Sequence, residues 1–486
     1  MKPERASRRL DGIAHARARM YEFNVPEGLA NLDTAGSQPA ELLSLVIGIL
    51  GDEAARIADL EMEGDVSIGR ILPNEPFALR FAAAFLHAYV SSRYGEQLAT
   101  ELLLLSGAGY YLCDLAGSAG VLVREAALAG PPFDHWDTLL RWLLSPDRPA
   151  LPVLPVSNYS PFLSTMASSL QGYFSEGNGR EEVLVAAATL RNEAYSGGTP
   201  RDLLYADLVS AVARKRLRNA ARHVLPPYSG LQAALWSTTF NKPSFMRELW
   251  PSQHVFGERG VLQGRSAVIQ MPTSAGKTRG IELIIRSAFY SERARLAIVV
   301  APFRALCTEI TGALRAAFKS ENVQLNELSD ALLVDYSALL KMLLPDAENV
   351  VDLGADQEKQ IIVLTPEKLL YVLRHNPELI DAVGLVIYDE GHQFDSGQRG
   401  VTYELLLTSI KRLLPIEKQI VLISAVITNA ETIGRWLIGD QVVVVDGKDL
   451  STTRRSVAFA SWRTPLGQLQ FVEPHDPDMS SISFPA

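Results

Sequence analysis

Two short stretches carry residues that could act on a phosphoanhydride. Residues 271–278 read Met-Pro-Thr-Ser-Ala-Gly-Lys-Thr and follow the apolar run Ser266–Met271. A strand, a tight loop ending in Gly-Lys-Thr and a helix starting near Gly276 form a phosphate cradle, in which backbone N–H groups and the helix N-terminus face the anion. There Thr273, Ser274, Ala275 and Gly276 form the loop, Lys277 supplies a mobile cation to the β- and γ-phosphates, and the Thr278 hydroxyl ligates Mg²⁺. The usual pattern has a small residue where Met271 stands, so Pro272 and the Gly276-Lys277-Thr278 triplet carry the reading. The second stretch, Gly384–Phe394 (GLVIYDEGHQF), ends an apolar run in acid. Asp389 would bind Mg²⁺ through water, Glu390 would polarise an attacking water, and His392 would sit where nucleotide state is passed to a bound polymer. Asp-Glu at a strand end is common by itself. At 112 positions beyond Lys277 it completes the set a nucleoside triphosphatase needs.

These groups need a scaffold that brings two distant strand ends together. From about residue 245 the runs Ser266–Met271, Leu296–Ala301, Ile361–Thr365, Val383–Asp389, Gln419–Ala425 and Gln441–Val445 alternate with helical segments at 277–290, 304–319, 366–375, 400–414 and 429–438. Such alternation predicts an α/β fold, a parallel sheet with helices on both faces, and near-continuous apolar strands fit burial on both sides. Ligands of open sheets bind beyond the carboxyl ends of the strands, where both stretches fall. Residues 1–235 have another texture. Pro39–Leu60, Glu75–Tyr94, Glu96–Leu128 and Arg180–Ala194 repeat apolar residues at helical spacing, which predicts an all-α N-terminal domain. The expected organisation is a helical accessory domain over 1–235, a nucleotide-binding lobe over 236–462 and a linker over 463–486.

Composition limits the rest. The 486 residues are 47% hydrophobic, which excludes a mainly disordered chain. The net charge is −9, and residues 1–235 hold 21 basic and 26 acidic side chains, so neither part is a basic coat for nucleic acid. The basic run Val212–Arg222 (VARKRLRNAAR) reads as a phosphate-contacting helix or, more simply, as a solvated helix face. Cys113 and Cys307 cannot build a disulfide framework, which fits a reducing, cytoplasmic setting. The Arg-rich start lacks the apolar run of a secretory signal; Arg5, Arg8 and Arg19 could share a face as in a transit peptide, but a solvated helix is the simpler reading. Leu102–Cys113, bounded by Glu101 and Asp114, is far short of the roughly 20 residues a membrane span needs, so no membrane partner is expected.

Together the motifs resemble superfamily 2 DExH-box helicases, in the flavour of the Ski-like branch that includes exosome-associated, spliceosomal and archaeal repair helicases. The resemblance is collinear from about 249 to 462. Leu249-Trp250-Pro251-Ser252-Gln253 is similar to the segment whose glutamine, here Gln253, reads the adenine edge. Ala301-Pro302-Phe303-Arg304-Ala305-Leu306 resembles motif Ia, and Thr365-Pro366-Glu367-Lys368 motif Ib. By that likeness Pro302, Arg304, Thr365, Pro366 and Lys368 contact a nucleic-acid backbone without reading its sequence. Asp389-Glu390-Gly391-His392 is the DExH box, and Arg399-Gly400 with Tyr403-Glu404 resembles a segment of this branch. Ser424-Ala425-Val426 resembles the Ser-Ala-Thr of motif III, which couples hydrolysis to strand movement; Val426 lacks the hydroxyl.

The resemblance implies ATP and Mg²⁺ as cofactors, DNA or RNA as partner, movement in the 3′-to-5′ sense, and a second RecA-like lobe carrying arginine fingers. Arg455–Trp462 reads as the strand leading toward that lobe, and no further strand–helix pattern follows before Ala486. The expectation is the N-terminal part of an ATP-dependent helicase or translocase, a piece of a longer polypeptide, binding ATP–Mg²⁺ but hydrolysing it slowly alone. The alternative is a nucleotide-gated binding module for nucleic acid or a partner. Large helical N-terminal regions in bacterial members suggest repair or anti-phage defence.

Overall fold

The computed structural model describes residues 39–59, 76–90, 98–145, 151–272, 275–328, 359–375, 377, 379–392, 397–415, 417–425, 427, 429–447, 450, 452–453, 457–463, 466–472 and 481–485. The chain divides into two compact units, residues 1–219 with 452–486, and residues 220–451.

The first unit is built from helices Pro39–Asp59, Pro76–Val90, Ala99–Leu112, Ala116–Ala129, His135–Leu144, Ser160–Glu176, Arg180–Gly197 and Pro200–Asn219. Ala99–Leu112 is its core rod, buried continuously from Leu102 to Leu112, which accounts for the most apolar stretch of the sequence. The long helix expected over Glu96–Leu128 breaks in two. Asp114 adopts the left-handed conformation (φ 67°), and the Leu115 N–H reaches back to the Tyr110 carbonyl at 2.8 Å. Aspartate tolerates that backbone better than most residues, so the break needs neither Gly nor Pro.

The basic run 212–222 is neither a solvated face nor a phosphate contact over its central residues. Lys215 is 1% exposed, pairs with Asp114 Oδ1 at 2.7 Å and donates to the Leu112 carbonyl, and the buried Arg216 guanidinium lies over the Tyr111 ring. These cations hold the broken helix end. The unit also contains three antiparallel strands, Val457–Arg463 (β8), Leu466–Val472 (β9) and Ser481–Pro485 (β10), in the order β10-β9-β8. The segment 463–486, expected as a linker, therefore carries paired strands, and Val457–Arg463 pairs locally with β9.

The second unit begins at Ala220, ahead of the 235/236 boundary read from texture. Helices Ala221–Ser229 and Ala233–Phe240 cluster with the sheet: the Ala221 N–H donates to the Arg247 carbonyl at 2.8 Å, and Trp236 packs edge-on against Tyr290. The sheet has seven parallel strands, Ala267–Gln270 (β1), Leu296–Val300 (β2), Val323–Glu327 (β3), Lys359–Leu364 (β4), Val383–Tyr388 (β5), Gln419–Ser424 (β6) and Val443–Asp446 (β7), ordered β3-β4-β2-β5-β6-β1-β7. β1, β2, β5 and β6 are buried along their whole length, as a sheet covered on both faces requires. Helices Pro366–His375 and Gly397–Leu413 bury Leu369, Leu373, Leu406 and Ile410 against Ile362, Val386 and Leu422. Lys277–Tyr290 and Arg304–Ala317 also bury an apolar stripe each, including Ile281, Ile285, Ile310 and Leu314. β3 lies outside the sequence reading because it is a half-exposed edge of five residues, without the continuous apolar run that marks the inner strands.

Candidate active site

Strand order decides which residues meet. β5, β6 and β1 are neighbours, so the residues that follow them share one edge: Asp389 to His392 after β5, Ser424 and Ala425 from β6, and the loop to Lys277 after β1. The Met271 N–H bonds to the Ser424 carbonyl at 2.9 Å, so the start of the loop continues the ladder.

The loop closes on itself and on the helix Pro251–Glu258. The Ala275 N–H donates to the Pro272 carbonyl, and Gly276 takes φ 82° as the residue before helix Lys277–Tyr290. A side chain there would meet Gln253 Nε2 and Trp250 Cε3 at 3.2 Å, so glycine is needed for both backbone and space. The Ser252 hydroxyl donates to the Ala275 carbonyl at 2.6 Å, latching the upstream helix to the loop. Gln253 is 2% exposed; its Oε1 accepts from the Trp250 N–H at 2.8 Å, which leaves its amide nitrogen toward Gly276. Thr273 and Ser274 lie outside the described residues. Thr278 is half-buried on the first turn of the helix.

Lys277 and Glu390 form an ion pair, Nζ to Oε1 at 2.6 Å. Two residues 113 positions apart are thus in direct contact. Glu390 adopts φ 52°, uncommon for a non-glycine, and its N–H donates to Asp389 Oδ1 at 2.9 Å. Such backbone strain gathers at functional sites. Asp389 is 5% exposed, and its own N–H bonds to the Val300 carbonyl at 2.8 Å. Burial pushes its carboxyl up to about 6, with Lys277 opposing that rise and Glu390 adding to it. His392 Nδ1 lies 3.1 Å from the Ser424 hydroxyl and 3.3 Å from Glu390 Oε2. The acid pair is thereby connected to the end of β6, where Ala425 is half-buried and Val426 lies outside the described residues.

Farther along the edge, Pro302 is buried after β2, and Arg304 opens helix Arg304–Ala317 as an exposed side chain. Thr365, buried, and Pro366 follow β4, with Lys368 half-buried on the next helix. The two turns are pinned together because the Ala301 N–H bonds to the Leu364 carbonyl at 3.1 Å. The side chain of Arg399 lies outside the described residues. Tyr403 lies in the core: its ring meets Tyr388 edge-on, 5.9 Å between centroids, and burial raises both hydroxyls well above the usual phenol range. Tyr388 directly precedes Asp389, and its pairing with Tyr403 is one that no local signal reveals.

A hard Mg²⁺ ion suits the oxygen donors Thr278 and Asp389, with phosphate and water completing the set. The dry Asp389 carboxyl, costly as an isolated anion, is the kind of group a cation would satisfy.

Fold and site together define a P-loop nucleotide-binding lobe of the RecA-like type. Residues 257–433 match the DEAD/DEAH box helicase family, which supports reading this lobe as a superfamily 2 helicase domain. The chain is 28% identical over 284 residues to Hachiman protein HamB of Bacillus cereus, covering 58% of this chain and 22% of that protein. It is 32% identical over 198 residues to ATP-dependent DNA helicase Hel308 of Thermococcus kodakarensis, covering 41% of this chain and 16% of that protein. A solved structure of Mycobacterium smegmatis helicase Lhr bound to ssDNA and AMP-PNP matches 44% of this chain and 27% of its own at 20% identity and a TM-score of 0.33. The chain thus spans about a fifth, or less, of the length of these two curated relatives. No described helix is long and apolar enough to cross a membrane.

Proposed function

We propose that this lobe binds ATP with Mg²⁺ and couples its hydrolysis to movement along a nucleic-acid backbone, as the first motor lobe of a helicase or translocase. The observation that carries the proposal is the direct Lys277–Glu390 contact beside buried Asp389. Bound Mg²⁺ would supply the positive charge that offsets the phosphates. Lys277 exchanges its carboxylate partner for phosphate oxygens, and that exchange frees Glu390 to orient water and take its proton. Asp389 and Thr278 hold the metal, and Gln253 offers its amide nitrogen to the base. His392 and Ser424 carry the state of Glu390 to β6. Arg304, Thr365, Pro366 and Lys368 bear on the backbone.

The Hel308 relatives are named DNA helicases, which favours DNA; a setting in repair or defence, in the cytoplasm, is part of the same proposal. The Ski-like branch rests on Arg399-Gly400 and Tyr403-Glu404. A second RecA-like lobe would supply the other wall of the site. A binding module without hydrolysis is not favoured, since gripping a nucleotide does not require a carboxylate beside Lys277. The test is ATP hydrolysis with and without single-stranded DNA, in the unsubstituted protein and in Glu390→Gln. The expected result is slow turnover by the 486-residue chain and its loss in the variant, with nucleotide binding kept. Equal turnover in both would overturn the assignment.

A further inference from the structure

β1 reads Ala-Val-Ile-Gln and is buried throughout, so a strand that is otherwise apolar ends in an amide. Gln270 is 3% exposed. Side chains alternate along a strand, so that of Gln270 shares the face of Val268. Val268 packs in the same core as Ile427, Ala430 and Leu437. An apolar side chain would fill such a place without polar cost, whereas a buried amide has to be bonded. The Gln270 side-chain nitrogen donates to the Ile427 carbonyl, 157 positions away. Ile427 lies beyond the end of β6, on the way to helix Ala430–Leu437.

The main chain around Gln270 is also gripped on both sides. Its carbonyl accepts from the Gly447 N–H at 2.7 Å, and the N–H of the next residue, Met271, bonds to the Ser424 carbonyl at 2.9 Å. Pro272, whose carbonyl closes the phosphate loop onto Ala275, is the second residue after Gln270. The stretch after β6 is therefore tethered at two places. The Ser424 hydroxyl meets His392 of the acid turn at 3.1 Å, and Ile427 meets the strand that carries the phosphate loop.

We infer that Gln270 is a positioning residue, which through the Ile427 carbonyl sets the stretch after β6 to the state of the phosphate loop. The assignment rests on the nucleotide reading of the site and deepens it. Gln270 needs no contact with the nucleotide for this. A shift of the end of β1, as the phosphate loop closes on an anion, would reach Ile427 by a route separate from the one through Glu390, His392 and Ser424.

The test is hydrogen–deuterium exchange of the whole chain with and without ATP–Mg²⁺, beside Gln270→Met, which keeps the length of the side chain and removes its donor. In the parent, nucleotide should slow exchange over residues 271–280 and also over 425–433, the latter about five-fold or more, the low end of ordinary coupling between sites. In Gln270→Met, at nucleotide saturation judged by the shift in melting temperature, protection over 271–280 should remain and protection over 425–433 should be lost. Gln270→Leu carries the same expectation and replaces Gln270→Met if that variant does not fold. A merely structural amide would lower the melting temperature and leave the nucleotide-dependent protection over 425–433 in place. That result would overturn the role of Gln270, as would a parent in which nucleotide protects 271–280 but not 425–433; in both cases the nucleotide reading stands. A parent in which ATP–Mg²⁺ protects neither stretch and leaves the melting temperature unchanged would overturn both.

Discussion

Lys277 is held by Glu390 at 2.6 Å, so each charge supplies the other's partner until phosphate enters. The contact joins the two local motifs that the sequence displays most clearly. Each is readable from a few consecutive residues because its chemistry is local: a loop that must end in glycine, and acids forced out of an apolar strand. Their contact depends on β6 lying between β5 and β1, which no short window reveals. At Asp389 the sign of the pH effect follows from burial. Its folded pKa, about 6, lies above the ordinary value of 3.8. The stability it contributes is present below the ordinary value and is lost as pH rises through about 6. In metal-free, nucleotide-free buffer Asp389→Asn should therefore melt higher than the parent at neutral pH, and the gap should close in acid. Thermal unfolding across pH in a chelator measures this; two parallel curves would contradict it.

Among elements, the helix that starts at Lys277 is anchored at its far end by Arg286. This guanidinium is fully buried and bonds to Glu282 Oε1 at 2.9 Å, Glu321 Oε1 at 2.8 Å and the Ala317 carbonyl at 2.8 Å, with the Phe318 ring beneath it at 4.2 Å. One cation thus ties the helix behind the phosphate loop to the end of the helix that begins at Arg304. Removing it leaves Glu282, 2% exposed, without its buried partner. Arg286→Leu should cost about 3–5 kcal/mol, and the double variant Arg286→Leu/Glu282→Leu should recover most of that, because two apolar side chains replace two buried charges. Chemical denaturation of both variants decides it; a double variant as unstable as the single would contradict the account. β5 offers a second check. A side chain at Gly384 would meet the Ala294 Cα at 2.5 Å, backbone that cannot step aside, whereas one at Gly391 would meet the Leu422 side chain at 2.6 Å. Gly384→Ala should cost about 1–3 kcal/mol and Gly391→Ala less, read as melting temperatures. Helices and inner strands of this lobe were legible from apolar periodicity. The Arg286 hub, the Ser252 latch and the burial of Lys215 and Arg216 were not, since a charged residue looks the same in sequence whether it faces water or a distant carboxylate.

For the whole molecule, the described residues form one unit around a parallel sheet that carries the phosphate loop, and a helical unit with a small antiparallel sheet. In the proposed motor this lobe would provide a phosphate loop, a metal carboxylate and a water-orienting glutamate. An arginine finger, where measured in phosphoryl transfer, is worth about 10³–10⁵ in rate, so slow turnover is expected while the site holds only the groups of this lobe. Ligands that bind only the folded state raise its stability in proportion to the logarithm of ligand concentration over Kd. Binding of ATP–Mg²⁺ through Lys277 is tested most directly by the melting temperature of the chain titrated with ATP–Mg²⁺, beside Lys277→Ala. A saturable rise is expected in the parent and none in the variant; an equal rise in both, or none in the parent, would contradict binding through Lys277.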